Sequence, residues 1–221
     1  MSDAVLHHDW ASEASHRVRI ALALKEIEVQ SRLVDVSAKE HETEAYRAIN
    51  PSGLVPALEI DGHVLTQSLA IIDYLDETRA HPALLPGFAA ERARVKAIGQ
   101  AVASDVSPLI ARSVMRHVDW LTAGGEAGQA NWARKWLLRG LTAVERMLDS
   151  PMTGTFCHGA EPGYADCLLI PHIRIARVWN APIWRFPRIT AIELGCASHP
   201  AFAAADPERW RPKPPDKTET A

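Results

Sequence analysis

A chain of 221 residues with 47% hydrophobic content can bury a sizeable core, as one large or two small domains. Its net charge of −3 provides no attraction for nucleic acid or an anionic membrane surface, and it contains no run of eighteen apolar residues long enough to span a bilayer. Three cysteines, Cys157, Cys167 and Cys196, odd in number and without a CxxC spacing, argue against a disulfide framework and fit buried thiols in a reducing cytoplasm.

The segment MSDAVLHHDW lacks the basic region and apolar stretch of a signal peptide, and residues 3–9 predict a strand. His7-His8 is half of a metal pair without a partner at ligand spacing, so the expectation is a surface or strand-edge pair and no metal. Val18, Ala21, Leu22 and Lys25 recur at helical spacing, with Ile20 and Leu24 widening the stripe, which predicts a helix over 15–25. EVQSRLVDV at 28–36 alternates as a second strand, and 39–48 reads as a short helix. Asn50-Pro51 starts a turn, and Asp61-Gly62 between ALEI and HVLT marks a hairpin. Ser68 stands where it would cap the helix of LAIIDYLDET.

These eighty residues read β-α-β-α-β-β-α, a mixed sheet with helices packed on it. Two prolines and a glycine in 81–90 mark a linker. Beyond it 90–117, 126–149, 164–180 and 187–197 all read as helices, so residues 91–207 form an all-α domain behind an α/β domain of residues 1–80. The charged, proline-rich stretch from Trp210 predicts a mobile tail over 208–221. The tryptophans, including Trp120, Trp132, Trp136, Trp179 and Trp184, are expected in the core or in a pocket wall.

Two local features carry chemistry. Val55-Pro56 enters a strand where proline cannot donate to the ladder, a place for a cis bond. Gln67-Ser68 opens a helix whose backbone N–H groups and serine hydroxyl either cap it or hold a carboxylate.

Together with SEASHRVRIALALK (12–25), INPSGLVPALEIDGHVLTQSLAIIDYLDET (49–78) and HPALLPG (81–87), these features resemble the glutathione transferase superfamily, most nearly its zeta class of maleylacetoacetate and maleylpyruvate isomerases. Weaker similarity continues through 92–109 and 163–177, about 200 residues in all. The resemblance implies a thioredoxin-like N-terminal domain, an α-helical C-terminal domain, a homodimer and glutathione as cosubstrate. It implies a cis Val55-Pro56 bond, with Val55 pairing to the cysteinyl backbone of glutathione. Gln67 and Ser68 would hold the γ-glutamyl carboxylate, and Asp105 would help with the γ-glutamyl amine, across a dimer. His41 either lies on a solvated helix face or reaches the glycyl carboxylate.

In that frame Ser12 donates to the glutathione sulfur, and Ser15 makes a second contact or caps the helix. A free thiol titrates near ~8.5, and lowering that by ~2 units takes ~2.7 kcal/mol. A helix N-terminus supplies roughly 0.3–1 kcal/mol, up to ~2 when partly buried, and a hydrogen bond to a charged acceptor about 1.5–3. One hydroxyl and one helix end therefore suffice.

The resemblance has departures. Ala14 replaces a cysteine, and Ala11 replaces the arginine that often precedes the serine. Gly53 ahead of the Val55-Pro56 turn removes a side-chain contact to the glycyl end. Ser107 takes the place of a histidine of the maleylpyruvate branch, and Val178 that of an expected arginine, with Arg177 one place off. Arg112 and Arg177 are the candidate substrate-binding cations. Glu13 puts a carboxylate beside the sulfur, which raises the thiol pKa unless it points to solvent. Three readings follow: a glutathione-dependent cis–trans isomerase of a maleyl-type acid, a general glutathione transferase acting on small electrophiles, or a non-catalytic glutathione-binding or dimerising protein.

Overall fold

The computed structural model describes residues 4–212. β1 (Val5–His8), α1 (Glu13–Leu24), β2 (Gln30–Leu33), α2 (Glu44–Ile49), β3 (Ala57–Ile60), β4 (His63–Thr66) and α3 (Ser68–Thr78) follow in that order. The four strands form one sheet in the order β2-β1-β3-β4, with β1 and β2 parallel and the other two pairs antiparallel. The β3–β4 hairpin turns on Asp61 and Gly62 at φ 53° and 77°, the two positive values that a two-residue turn matched to strand twist needs.

The register places the chemistry. His7 pairs with Ala57, and Ala57 with Thr66. The loop leaving β1, the Val55-Pro56 turn entering β3 and the Gln67-Ser68 step leaving β4 therefore share one end of the sheet. Leu33 pairs with His8, so the chain leaving β2 is there too.

α4 (Ala89–Ala103), α5 (Arg112–Thr122), α6 (Gly125–Met147), α7 (Tyr164–Val178), α8 (Pro187–Ala197) and α9 (Pro200–Ala205) complete the described residues. α1 is wedged between α3, α7 and α9, which explains its burial on nearly every side, polar residues included. A continuous core joins Leu6 and Leu58 of the sheet, Ile71, Ile72 and Leu75 of α3, and Leu168, Leu169 and Ile173 of α7. Each such side chain contributes about 1.5–3 kcal/mol by leaving water. Gly99 lets α4 press on α7; a Cβ there would lie 2.9 Å from Leu168 Cδ2. Lys25, which completes the apolar stripe of α1, is buried because its ammonium donates to Asp76 and to the carbonyls of Arg79 and Pro82 at 2.6–2.7 Å.

Several expectations need correction. Residues 90–117 are not one helix: α4 ends at Ala103, a 3₁₀ turn covers Ser107–Ile110, and α5 starts at Arg112. Pro108 lacks an N–H and disfavours helical backbone in the residue before it, which breaks the run. Ser68 does not cap α3; Gln67 holds that position, at φ 68°, and Ser68 is the first helical residue. His7-His8 is not a surface or edge pair. β1 is an inner strand, His8 is fully buried, and His7 Nε2 lies 2.6 Å from Glu59. α9 gave no signal, being only six residues long. Trp120 and Trp184 are exposed rather than in a core or pocket wall. The tail expected to be mobile lies largely outside the described residues, but Trp210 is held: its indole donates to Ala204 O and its ring meets His8 at 5.1 Å.

Candidate active site

Ser12 is the N-cap of α1, in extended backbone conformation, and its hydroxyl oxygen accepts the Ser15 N–H at 3.2 Å. The loop carrying it is pinned by Asp9, whose carboxylate takes the N–H groups of Ala11 (2.8 Å), Ser12 (3.1 Å) and Val36 (3.3 Å). The partly exposed Ser12 hydroxyl sits at the positive end of α1 and donates to no acceptor among the described residues. Ser15 is fully buried in the first turn, with no hydrogen-bond partner for Oγ among the described residues. Its backbone is what Ser12 caps.

Val55-Pro56 is cis. Leu54 O, just before it, accepts from Tyr46 Oη (2.8 Å) and Asn50 Nδ2 (2.6 Å), two supports that sequence reasoning missed. Burial pushes the Tyr46 phenol up to about 12, so it stays a donor. Gln67 is exposed beside the buried Ser68. Asp105 is exposed. His41 is half-buried, its Nδ1 without a partner among the described residues and its Nε2 3.7 Å from Glu42. Gly53 adopts φ +60°, and a Cβ there would lie 3.0 Å from His41 O and 3.1 Å from the Arg47 guanidinium carbon. The missing side chain is thus a packing requirement, and it leaves Arg47 next to the turn.

Glu13 does not point to solvent: its side chain is 12% exposed. It turns into the junction between α1 and the helical layer, where Oε1 accepts from Arg17 (2.5 Å), Ser107 Oγ (2.9 Å) and His172 Nδ1 (3.0 Å). Arg17 also donates to Ser107 at 2.7 Å. Burial alone would raise the Glu13 pKa; the charges of Arg17 and His172 overcome it and hold the carboxyl far below the usual carboxylate range. Ser107 is therefore part of an interdomain network. Ser12, Val55, Pro56, Gln67 and Ser68 share the sheet end, and Arg112 crosses to it by donating to Ser37 Oγ at 2.9 Å. Arg177 is engaged elsewhere, held bidentately by Glu193 of α8 at 3.1 and 2.6 Å.

Gly163, the N-cap of α7, has no room for a side chain: a Cβ would lie 2.6 Å from Leu84 O. Asp166 caps instead, accepting from the N–H groups of Cys157 and Gly163 at 2.9 Å.

Residues 11–78 match the family model of the glutathione S-transferase N-terminal domain. The chain is 46% identical to the maleylacetoacetate isomerase of Rhizobium meliloti over 96% of its own length and 99% of the relative. Its structure resembles a holo maleylpyruvate isomerase described as a bacterial zeta-class glutathione S-transferase (TM-score 0.89, 36% identity, 91% of this chain and 96% of that one). It is equally like a maleylacetoacetate isomerase of Methylobacterium extorquens AM1 with bound malonate and glutathione (TM-score 0.89, 35% identity, 96% and 99% covered).

Proposed function

We propose that this chain, which belongs to the zeta-class glutathione transferase family, catalyses the glutathione-dependent cis–trans isomerisation of a maleyl-type acid. The observation that carries the mechanism is Ser12: an N-cap hydroxyl whose oxygen is already occupied by the Ser15 N–H and whose proton is free for a sulfur at the head of α1. That hydrogen bond and the helix end together supply the ~2.7 kcal/mol that ionises a thiol near neutral pH.

The thiolate adds to one carbon of the conjugated cis double bond, and its electron pair forms the C–S bond while the π pair moves into the neighbouring carbonyl. The former double bond, now single, rotates. The carbonyl electrons return, the C–S bond breaks, and the trans acid and thiolate are regenerated. In this reading Val55 pairs with the cysteinyl backbone. Gln67 and Ser68 hold the γ-glutamyl carboxylate at the head of α3, with Asp105 near the amine, and His41 lies toward the glycyl end. Ser15 supports the turn from beneath, and Arg112 lies on the substrate side.

A homodimer suits the exposed apolar groups Val64 on the edge strand β4, Phe88 ahead of α4, and Trp120 and Leu121 on α5, which a second copy would cover. Three free, buried cysteines suit a reducing cytoplasm. A solution mass of 24.3 kDa, that of one chain, would overturn the dimer.

The test is turnover of a maleyl acid with catalytic glutathione while free thiol is counted. Isomerisation without thiol loss is expected. Stoichiometric thiol loss would instead support conjugation of small electrophiles, and glutathione binding without turnover would support a non-catalytic role.

A further inference from the structure

An isomerase of an acidic substrate needs a cation beside the reacting sulfur, yet Ala11 and Val178 leave neutral two places where a guanidinium was expected. The other candidate arginines of α1, α5 and α7 are already engaged. Arg17 is held by Glu13 and Ser107, Arg19 by His8 and the carbonyls of Asp9, Trp10 and Ala205, Arg112 by Ser37, and Arg177 by Glu193.

Arg174 differs. It lies one helical turn before Val178, about 40° from it around α7, whereas Arg177 is about 100° away. Its Nη1 donates to Ala11 O, on the residue preceding Ser12, at 3.4 Å, and its Nη2 lies 3.8 Å from Glu208 Oε1. Both contacts are long for a guanidinium that carries five donors in a planar fork. The Arg174 side chain is 30% exposed, and Glu208, 61% exposed, also faces Arg211. The contact is to the backbone carbonyl of residue 11, so it brings the guanidinium to the loop without requiring a particular side chain there. A loosely held, partly open guanidinium beside the loop of the activating serine is suited to bidentate capture of a carboxylate.

We propose that Arg174 is the carboxylate-binding residue of this enzyme, reaching from one turn earlier on α7 to the loop that precedes Ser12 and taking a substrate carboxylate in exchange for Glu208. The proposal rests on the isomerase reading for the identity of the acid.

The test is calorimetric titration of the glutathione-saturated full chain with malonate, which reads carboxylate binding without needing turnover. The wild type should bind. Arg174→Ala should weaken malonate at least about tenfold with glutathione affinity unchanged, Arg174→Lys should lose less, and Glu208→Gln should tighten it by removing the competing carboxylate. Equal malonate affinity in wild type and Arg174→Ala, or an equal loss in Arg177→Ala, overturns the assignment, as does a wild type that binds no malonate. A parallel isomerase assay separates the two ideas. Malonate binding that depends on Arg174 without any maleyl turnover supports the site and refutes the isomerase reading; turnover unaffected by Arg174→Ala does the reverse.

Discussion

The carboxylate of Glu13, one residue from Ser12, provides a sharp test of how this site handles charge. Facing the sulfur within about 4–6 Å, it would shift the thiol pKa upward by about 1–3 units. Instead it accepts three hydrogen bonds in the interdomain junction and is the counterion of Arg17, whose side chain is 5% exposed. Glu13→Ala leaves that guanidinium without its counterion, a change that costs about 3–5 kcal/mol for buried pairs. Glu13→Gln keeps an acceptor but not the charge and should cost about 1.5–3 kcal/mol. Urea unfolding followed by tryptophan fluorescence measures the stability. Ultraviolet absorbance of bound glutathione thiolate against pH measures the sulfur. The expected result is a lower urea midpoint in both variants and a thiolate pKa within a few tenths of wild type. An intact midpoint together with a thiolate pKa lowered by about a unit or more would refute the reasoning, placing the carboxylate on the sulfur side.

Ser12→Ala removes the hydroxyl donor and should raise the bound-thiol pKa by about 1–2 units, lowering turnover at pH 7 by about 10–100-fold while glutathione still binds; the same absorbance titration and steady-state rates check it. The cap is lost too, at about 1 kcal/mol of stability. Burial, then the charge of Arg19, lowers His8 to about 4 and His16 to about 3. Their folded pKa values lie below the unfolded value of ~6.5, so the unfolded chain binds the extra protons as pH falls. The stability of burying them neutral is complete above pH ~6.5 and drains away towards about 4 and 3. At pH 5 this is roughly 2 kcal/mol per histidine relative to pH 7.5, and urea unfolding of His16→Gln at the two pH values should show about half the wild-type loss. Glu13, shifted downward, adds to acid instability only below its unfolded pKa of ~4.3. Gly163→Ser, which introduces an N-cap hydroxyl, should destabilise by about 1–3 kcal/mol, because its Cβ meets Leu84 O; a raised melting temperature would show that the linker yields.

Local and periodic features were legible in the sequence because their causes are local. The Asp61-Gly62 hairpin follows from two positive φ angles, α1 from 3.6-residue periodicity, and the cis Val55-Pro56 turn from proline chemistry together with the family resemblance. The break between α4 and α5 was written there as Pro108, but the flanking apolar periodicity masked it.

What the sequence by itself determined was the mixed sheet followed by helices and the cis Val55-Pro56 turn at its end, since each depends on neighbours a few residues away. Only the tertiary structure decided what the charges do. Glu13 meets His172 across 159 positions and Ser107 across 94, so whether it burdens the sulfur or ties two layers together is set by packing between α1 and α7. Arg177 and Arg174 are indistinguishable as letters, three residues apart on one helix. Helix rotation and the neighbours of each send one to Glu193 and leave the other beside Ala11, because a charge acts through distance and desolvation, neither of which spacing along the chain records.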